Sequence, residues 1–172
     1  MIFNKEKKIC LFQPPRTGTT TARNFLMLNG WNVVMPFHGT PDELITKYPN
    51  IKQYKMYCFF RNPLDRFLSC VAYCEEIEKV KFSKDIVDEF DWLFKPQSCW
   101  ANFNGMNLLN FEKYEDEIRI LSGLKNDIKY PINLKNSSLK KPANLSKQLF
   151  NFVRKKYFED FLIFEKRIYG AC

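Results

Sequence analysis

Two stretches of this chain gather the residue types that hold phosphate-like anions. The first is Gln13-Pro14-Pro15-Arg16-Thr17-Gly18-Thr19-Thr20. An apolar run precedes it, and a helix-compatible segment follows. Unpaired N–H groups at a helix start form an anion cradle that the helix dipole reinforces. The hydroxyls of Thr17, Thr19, Thr20 and Thr21 add donors, and Arg16 adds a fixed, forked positive charge. The stretch departs twice from the nucleotide-binding pattern GxxxxGK[ST], with Gln13 at the first glycine and Thr19 at the lysine. A plain loop with a threonine-capped helix is the other reading of these residues.

The second stretch is Arg61-Asn62-Pro63-Leu64-Asp65-Arg66-Phe67-Leu68-Ser69. Asn62, Arg66 and Ser69 fall at i, i+4 and i+7, on the helix face opposite Leu64, Phe67 and Leu68. Arg61, at a strand end, can reach that polar face. An arginine and a serine so placed could grip one phosphate through charge-assisted bonds. A surface Asp65–Arg66 pair is the competing reading, worth ~0–1 kcal/mol. Between the two stretches lies His38, the single histidine. Its reference pKa of ~6.5 suits proton removal near neutrality. A histidine that merely precedes a helix cap is the other reading.

Periodicity and breakers supply the elements that must position these residues. Ile9 to Phe12, Trp31 to Met35, Lys55 to Phe60 and Asn107 to Phe111 read as strands. Thr19 to Leu28 reads as a helix ended by Asn29-Gly30. Thr40-Pro41-Asp42-Glu43 is a helix start with a capping box, and Asn62-Pro63 opens another helix. One helix is expected from Asp85 to Phe94 behind a Ser83 cap, a short one from Tyr114 to Leu121, and a last one behind Asn144. Residues 123–143 read as loop. Strands alternating with helices predict an α/β fold with a mainly parallel sheet, in which ligands sit beyond the carboxyl ends of the strands. Both anion-type stretches leave a strand at that end.

The 172 residues predict a single domain spanning 1–172. A hydrophobic content of 45% excludes a disordered chain. The net charge of +8 suggests an anionic partner, and +6 of it lies between Ile132 and Cys172, where solvated helix faces are the other reading. Six cysteines without a CxxC pair argue against zinc, and Cys10 and Cys58 sit in apolar runs as small hydrophobes. Reduced thiols, a cytoplasmic setting, no membrane span and no signal peptide are the expectations. No nucleic-acid-binding motif accompanies the basic surplus. Oligomeric state and acceptor have no code in the sequence.

Together the two stretches resemble the sulfotransferases that use 3′-phosphoadenosine 5′-phosphosulfate (PAPS). Pro15-Arg16-Thr17-Gly18-Thr19-Thr20 looks like their 5′-phosphosulfate loop, with Arg16 where most members carry lysine and some carry arginine. Arg61-Asn62-Pro63-Leu64-Asp65-Arg66-Phe67-Leu68-Ser69 looks like their 3′-phosphate segment, starting 45 residues after Arg16. His38-Gly39-Thr40-Pro41-Asp42-Glu43-Leu44 resembles the histidine-centred segment of the carbohydrate branch. Pro96-Gln97, the Asn107–Phe111 strand with Glu112, and an ending with Tyr157, Asp160 and Phe161 also look familial. The resemblance implies a P-loop-like three-layer fold and sulfuryl transfer to a hydroxyl acceptor, carbohydrate or anionic acceptors among the candidates. It implies PAPS as co-substrate, 3′-phosphoadenosine 5′-phosphate (PAP) as product, and no metal. Arg16, Thr17, Gly18, Thr19, Thr20 and Thr21 would bind the 5′ end. Arg61 and Ser69 would bind the 3′-phosphate, with Lys140 and Lys141 closing over it. His38 and Arg16 would be the catalytic residues, with Asp42 and Glu43 as alternative bases, since other branches of the family use a carboxylate. A nucleotide kinase-like phosphotransferase and a donor-binding protein without transfer activity are the alternatives.

Overall fold

A computed structural model describes residues 1–123 and 146–169. The chain enters through a short strand, β1 (Ile2–Asn4), and turns through four charged residues into β2 (Ile9–Phe12). The Asn4 side-chain oxygen accepts from the Lys7 N–H at 2.9 Å, which closes the turn. After α1 (Thr19–Leu28) comes a two-residue edge strand, β3 (Asn32–Val33), and then α2 (Pro41–Lys47). The fourth strand is β4 (Lys55–Phe60), followed by the longest described helix, α3 (Pro63–Glu76). Three one-turn helices follow, α4 (Ile86–Glu89), α5 (Asp91–Phe94) and α6 (Ser98–Ala101). The sheet closes with β5 (Met106–Asn110), backed by α7 (Tyr114–Ser122). The described chain ends in α8 (Lys147–Lys156) and α9 (Phe158–Tyr169).

The sheet is mixed, in the order β3-β1-β2-β4-β5. The central pairs β2–β4 and β4–β5 are parallel, while β1 pairs antiparallel with both β2 and β3. The expected sheet is therefore present with one strand added against its direction. That strand joins β2 through a tight turn, and only antiparallel neighbours accept so short a link. The alternation of side chains along the strands serves two cores. Leu11, Phe59 and Leu109 pack with Phe25 and Leu26 of α1 and with Ile118 of α7. Cys10, Phe12, Met56 and Cys58 face the other way, toward Leu44 and Ile45 of α2 and Trp100 of α6. A third cluster joins α3 to the C-terminal helices through Phe67, Val71, Phe94, Val153 and Tyr157. Cys10 and Cys58 are fully buried, and burial pushes each thiol up to about 12.

Three expectations need correction. The second strand is shorter than Trp31 to Met35, because its one partner, β1, begins at Ile2, which pairs with Val33. The helix expected from Asp85 to Phe94 is two single turns that part at Phe90, whose backbone (φ −103°, ψ 44°) leaves the helical region. Ser83 caps neither turn, and α4 starts behind Asp85 without a side-chain cap bond. The expected last helix is two, α8 and α9, and Ser146 caps α8, accepting from Leu149 N–H at 3.2 Å. Asn144, Lys140, Lys141 and most of the predicted loop lie outside the described residues. Among those described, no helix is long and apolar enough to cross a membrane.

Candidate anion-binding site

β2 and β4 are parallel neighbours, so the turns that leave their carboxyl ends lie side by side. This is what brings the two anion-type stretches together. Arg16 sits in the first turn with a left-handed backbone (φ 64°), and Gly18 repeats that conformation two residues later (φ 75°). Alternation of this kind turns successive N–H groups toward one side and makes a concavity for anions. Gly18 is also the N-cap of α1, and it supplies no side chain to its first turn. A Cβ at Gly18 would overlap the Tyr114 ring, whose hydroxyl donates to the Gly18 carbonyl at 2.7 Å. Gly18 is thus required by backbone and space alike.

Arg16 extends from this turn to the second helix. Its Nε donates to Ser69 Oγ at 3.1 Å, and its guanidinium lies 5.1 Å from the centre of the Tyr73 ring. Burial holds the guanidinium below its ordinary pKa, and the groups that oppose this are Cys70, Tyr73 and Cys74. No described carboxylate is among them. Arg61 closes the junction from the other side, its Nη1 donating to the Arg16 carbonyl at 3.0 Å. Its guanidinium also rests on Phe111, 4.7 Å from the ring centre. Burial lowers the pKa of Arg61 too; Asp65 and Glu112 oppose that, while Arg16 adds to it. Two partly buried cations therefore face each other. An anion between them would relieve both burial and repulsion.

The threonines divide by position. Thr17 is buried, and its hydroxyl donates to the Pro14 carbonyl at 2.7 Å, so that proton serves the turn. Thr21 is buried in the first turn of α1. Thr19 is half-exposed and Thr20 exposed at the start of the helix. Gln13, which occupies the first-glycine position, is buried and donates from Nε2 to the Thr19 carbonyl at 3.0 Å. It ties the loop into a ring.

His38 is drawn to the same turn. Its Nδ1 lies 2.7 Å from the Gln13 carbonyl. A carbonyl can only accept, so Nδ1 carries the proton and Nε2 keeps the lone pair. Burial lowers the imidazole pKa most, and the amino terminus, Arg66 and Arg23 lower it further; the Gln13 bond opposes them. The two alternative bases are placed otherwise. Glu43 accepts from Thr40 N–H at 2.8 Å in the capping box and pairs with Lys95 at 3.7 Å. Asp42 is exposed on the first turn of α2.

Three further residues build the site without having been assigned a role. Arg66 is 1% exposed and not a surface partner of Asp65. Its Nε donates to the Pro15 carbonyl at 2.9 Å, and its Nη2 to the carbonyls of Leu93 and Lys95 at 3.0 and 2.9 Å. It therefore staples the first turn to α3 and to the segment after α5. Gln97 holds the backbone of Arg61 at both groups, accepting from its N–H at 3.0 Å and donating to its carbonyl at 2.9 Å. Asp160, from distant α9, accepts from the N–H groups of Gln97 and Ser98 at 2.8 and 2.7 Å. The spacing of Arg66 marked it as polar-face. Nothing local to Gln97 or Asp160 foretells a contact across 36 or 63 residues.

Comparisons with protein-family models, with curated proteins and with solved structures found no match to this chain. The chemistry of the site therefore rests on its residues. Among the described residues no cluster of three His, Cys, Asp or Glu side chains could hold a metal.

Proposed function

We propose that the chain is a PAPS-dependent sulfotransferase with a P-loop-like, three-layer fold that transfers a sulfuryl group to a hydroxyl acceptor. The observation that carries this reading is Arg16: a partly buried cation with no described carboxylate beside it, bonded to Ser69, with Arg61 on its own carbonyl. In this reading the start of α1, from Thr17 to Thr21, receives the 5′-phosphosulfate. Arg61 and Ser69 receive the 3′-phosphate, and Arg16 spans the two. A donor with anionic groups at both ends fits two adjoining turns better than a triphosphate, whose bridging lysine has no counterpart at Thr19.

The reaction forms a bond from the acceptor oxygen to sulfur and breaks the bond from sulfur to the 5′-phosphate oxygen, which keeps the electron pair. Nε2 of His38 takes the acceptor proton. Arg16 and the turn amides stabilise charge on the departing phosphate. Calorimetry with PAP, set against ATP with magnesium, tests the assignment. Binding of PAP and none of ATP is expected. Binding of ATP with magnesium alone would overturn the assignment in favour of a phosphotransferase.

A further inference from the structure

Beside His38 opens a cleft of about 190 Å³, lined by Pro36, His38, Gly39, Glu43, Trp92 and Lys95. Three observations single out Trp92 within it. First, its indole is stacked on the His38 imidazole, with ring centres 5.7 Å apart and planes 24° apart. Second, it meets Tyr73 edge-on at 6.4 Å, and Tyr73 in turn lies under the Arg16 guanidinium. A continuous row of side chains thus runs from Arg16 through Tyr73 to the cleft. Third, Trp92 is 45% exposed, although a large aromatic side chain on α5 could have joined Leu93 and Phe94 in the core. Its place is explained by His38 and the cleft rather than by packing.

We propose that Trp92 positions His38 and that the cleft they line is where the acceptor hydroxyl meets its base. The inference takes its chemistry from the sulfotransferase reading and adds a residue and a subsite to it. The two neighbours of the imidazole divide the work. The Gln13 carbonyl fixes the tautomer through Nδ1–H. The indole face fixes the ring plane and attracts the imidazolium that forms once Nε2 has taken a proton, as aromatic faces attract cations within ~6 Å. That attraction matters because the other described charges near the ring are mostly positive: Arg23 on α1, Arg66 on α3 and Lys95 after α5, while the amino terminus before β1, pushed down to about 5 by burial, joins them only in acid. Among the described residues Glu43 on α2 is the one carboxylate lining the cleft, and Lys95 pairs with it.

Because His38 is the single histidine, its ring protons can be followed without ambiguity by NMR in the intact protein. Titration of wild type, Trp92→Phe and Trp92→Leu reads the proposal directly. Leucine keeps apolar cover over the imidazole and removes the aromatic face. Its expected effect is a fall in the His38 pKa by about half a unit, with loss of the ring-current displacement. Phenylalanine is expected to restore most of both. Nitrogen-coupled spectra should show the neutral ring protonated at Nδ1 in wild type. Equal titration and equal ring-proton shifts in all three proteins would overturn the role of Trp92. Addition of PAP to the same samples separates the two readings. A protein that fails to bind PAP but shows the Trp92 effect refutes the donor and keeps the positioning residue; the converse result refutes only the latter.

Discussion

At the start of α1 the cap is Gly18, which has no side chain to offer the first-turn N–H groups. At the start of α3 the cap is Asn62, whose Oδ1 accepts from Leu64 and Asp65 N–H at 3.0 and 3.2 Å. The α3 turn also carries its own negative charge in Asp65, whereas the α1 turn carries none. One cap offers its helix end no side-chain acceptor, and the other satisfies its helix end from within. The difference assigns different work to two turns that look alike in outline. The first offers backbone and dipole to an anion. The second offers only side chains, Arg61 before the cap and Ser69 farther along the helix. An anion with two charged ends needs both kinds of grip.

The largest way to break this arrangement is through Arg66, which ties the first turn to the second. Arg66→Met should cost about 3–5 kcal/mol in urea denaturation, because it strands the carbonyls of Pro15, Leu93 and Lys95 in a buried site. Next is Gly18→Ala. Its left-handed backbone and the Tyr114 ring leave no room for a methyl group, and a loss of about 2–4 kcal/mol is expected by the same measurement, with PAP binding abolished. Ser69→Ala sharpens the contrast without unfolding anything. It removes the partner of Arg16 and should weaken PAP about tenfold by calorimetry, with stability changed by about 1 kcal/mol or less.

Asn62→Ala is the complementary case. Loss of the cap should cost about 1 kcal/mol in thermal unfolding, with PAP affinity unchanged, because this helix end serves itself. The smallest effect concerns pH. Burial holds the His38 imidazole below its ordinary value in the fold, so as pH falls through about 6.5 the unfolded chain takes up a proton before the folded chain does. Stability is then full above that value and declines on the acid side, and His38→Gln should flatten the decline. If His38 is the base, turnover should likewise persist below pH 6.5 and fall only as the folded imidazole protonates.

Much of this was legible in the sequence because its signals are local. The capping box at Thr40 and Glu43 is present as read, and so is the helix start at Asn62-Pro63. β2, α1 and β4 have the bounds that periodicity and breakers predict. The convergence of Arg16, Arg61 and Ser69 follows once two strands ending in such turns are neighbours. What escaped was either too short or too distant. β1 has three residues and no room for a periodic pattern. Arg66 was set on the polar face by its spacing, yet a buried cation satisfied by three carbonyls has the same spacing as an exposed one. The contacts of Gln97 with Arg61 and of Asp160 with Gln97 depend on how the C-terminal helix docks, which no local rule encodes. Trp92 stacks on a histidine 54 positions away in the chain, so neither residue announces the other.

The claim that two unlike turns share one doubly anionic ligand is tested most directly by a binding cycle. Calorimetry with PAP and with adenosine 5′-phosphate, in wild type and in Ser69→Ala, isolates the contribution of the 3′-phosphate. The account predicts that wild type prefers PAP by at least tenfold and that most of this preference disappears in the variant. Equal affinity of wild type for the two nucleotides, or a preference that survives the loss of Ser69 intact, would contradict it.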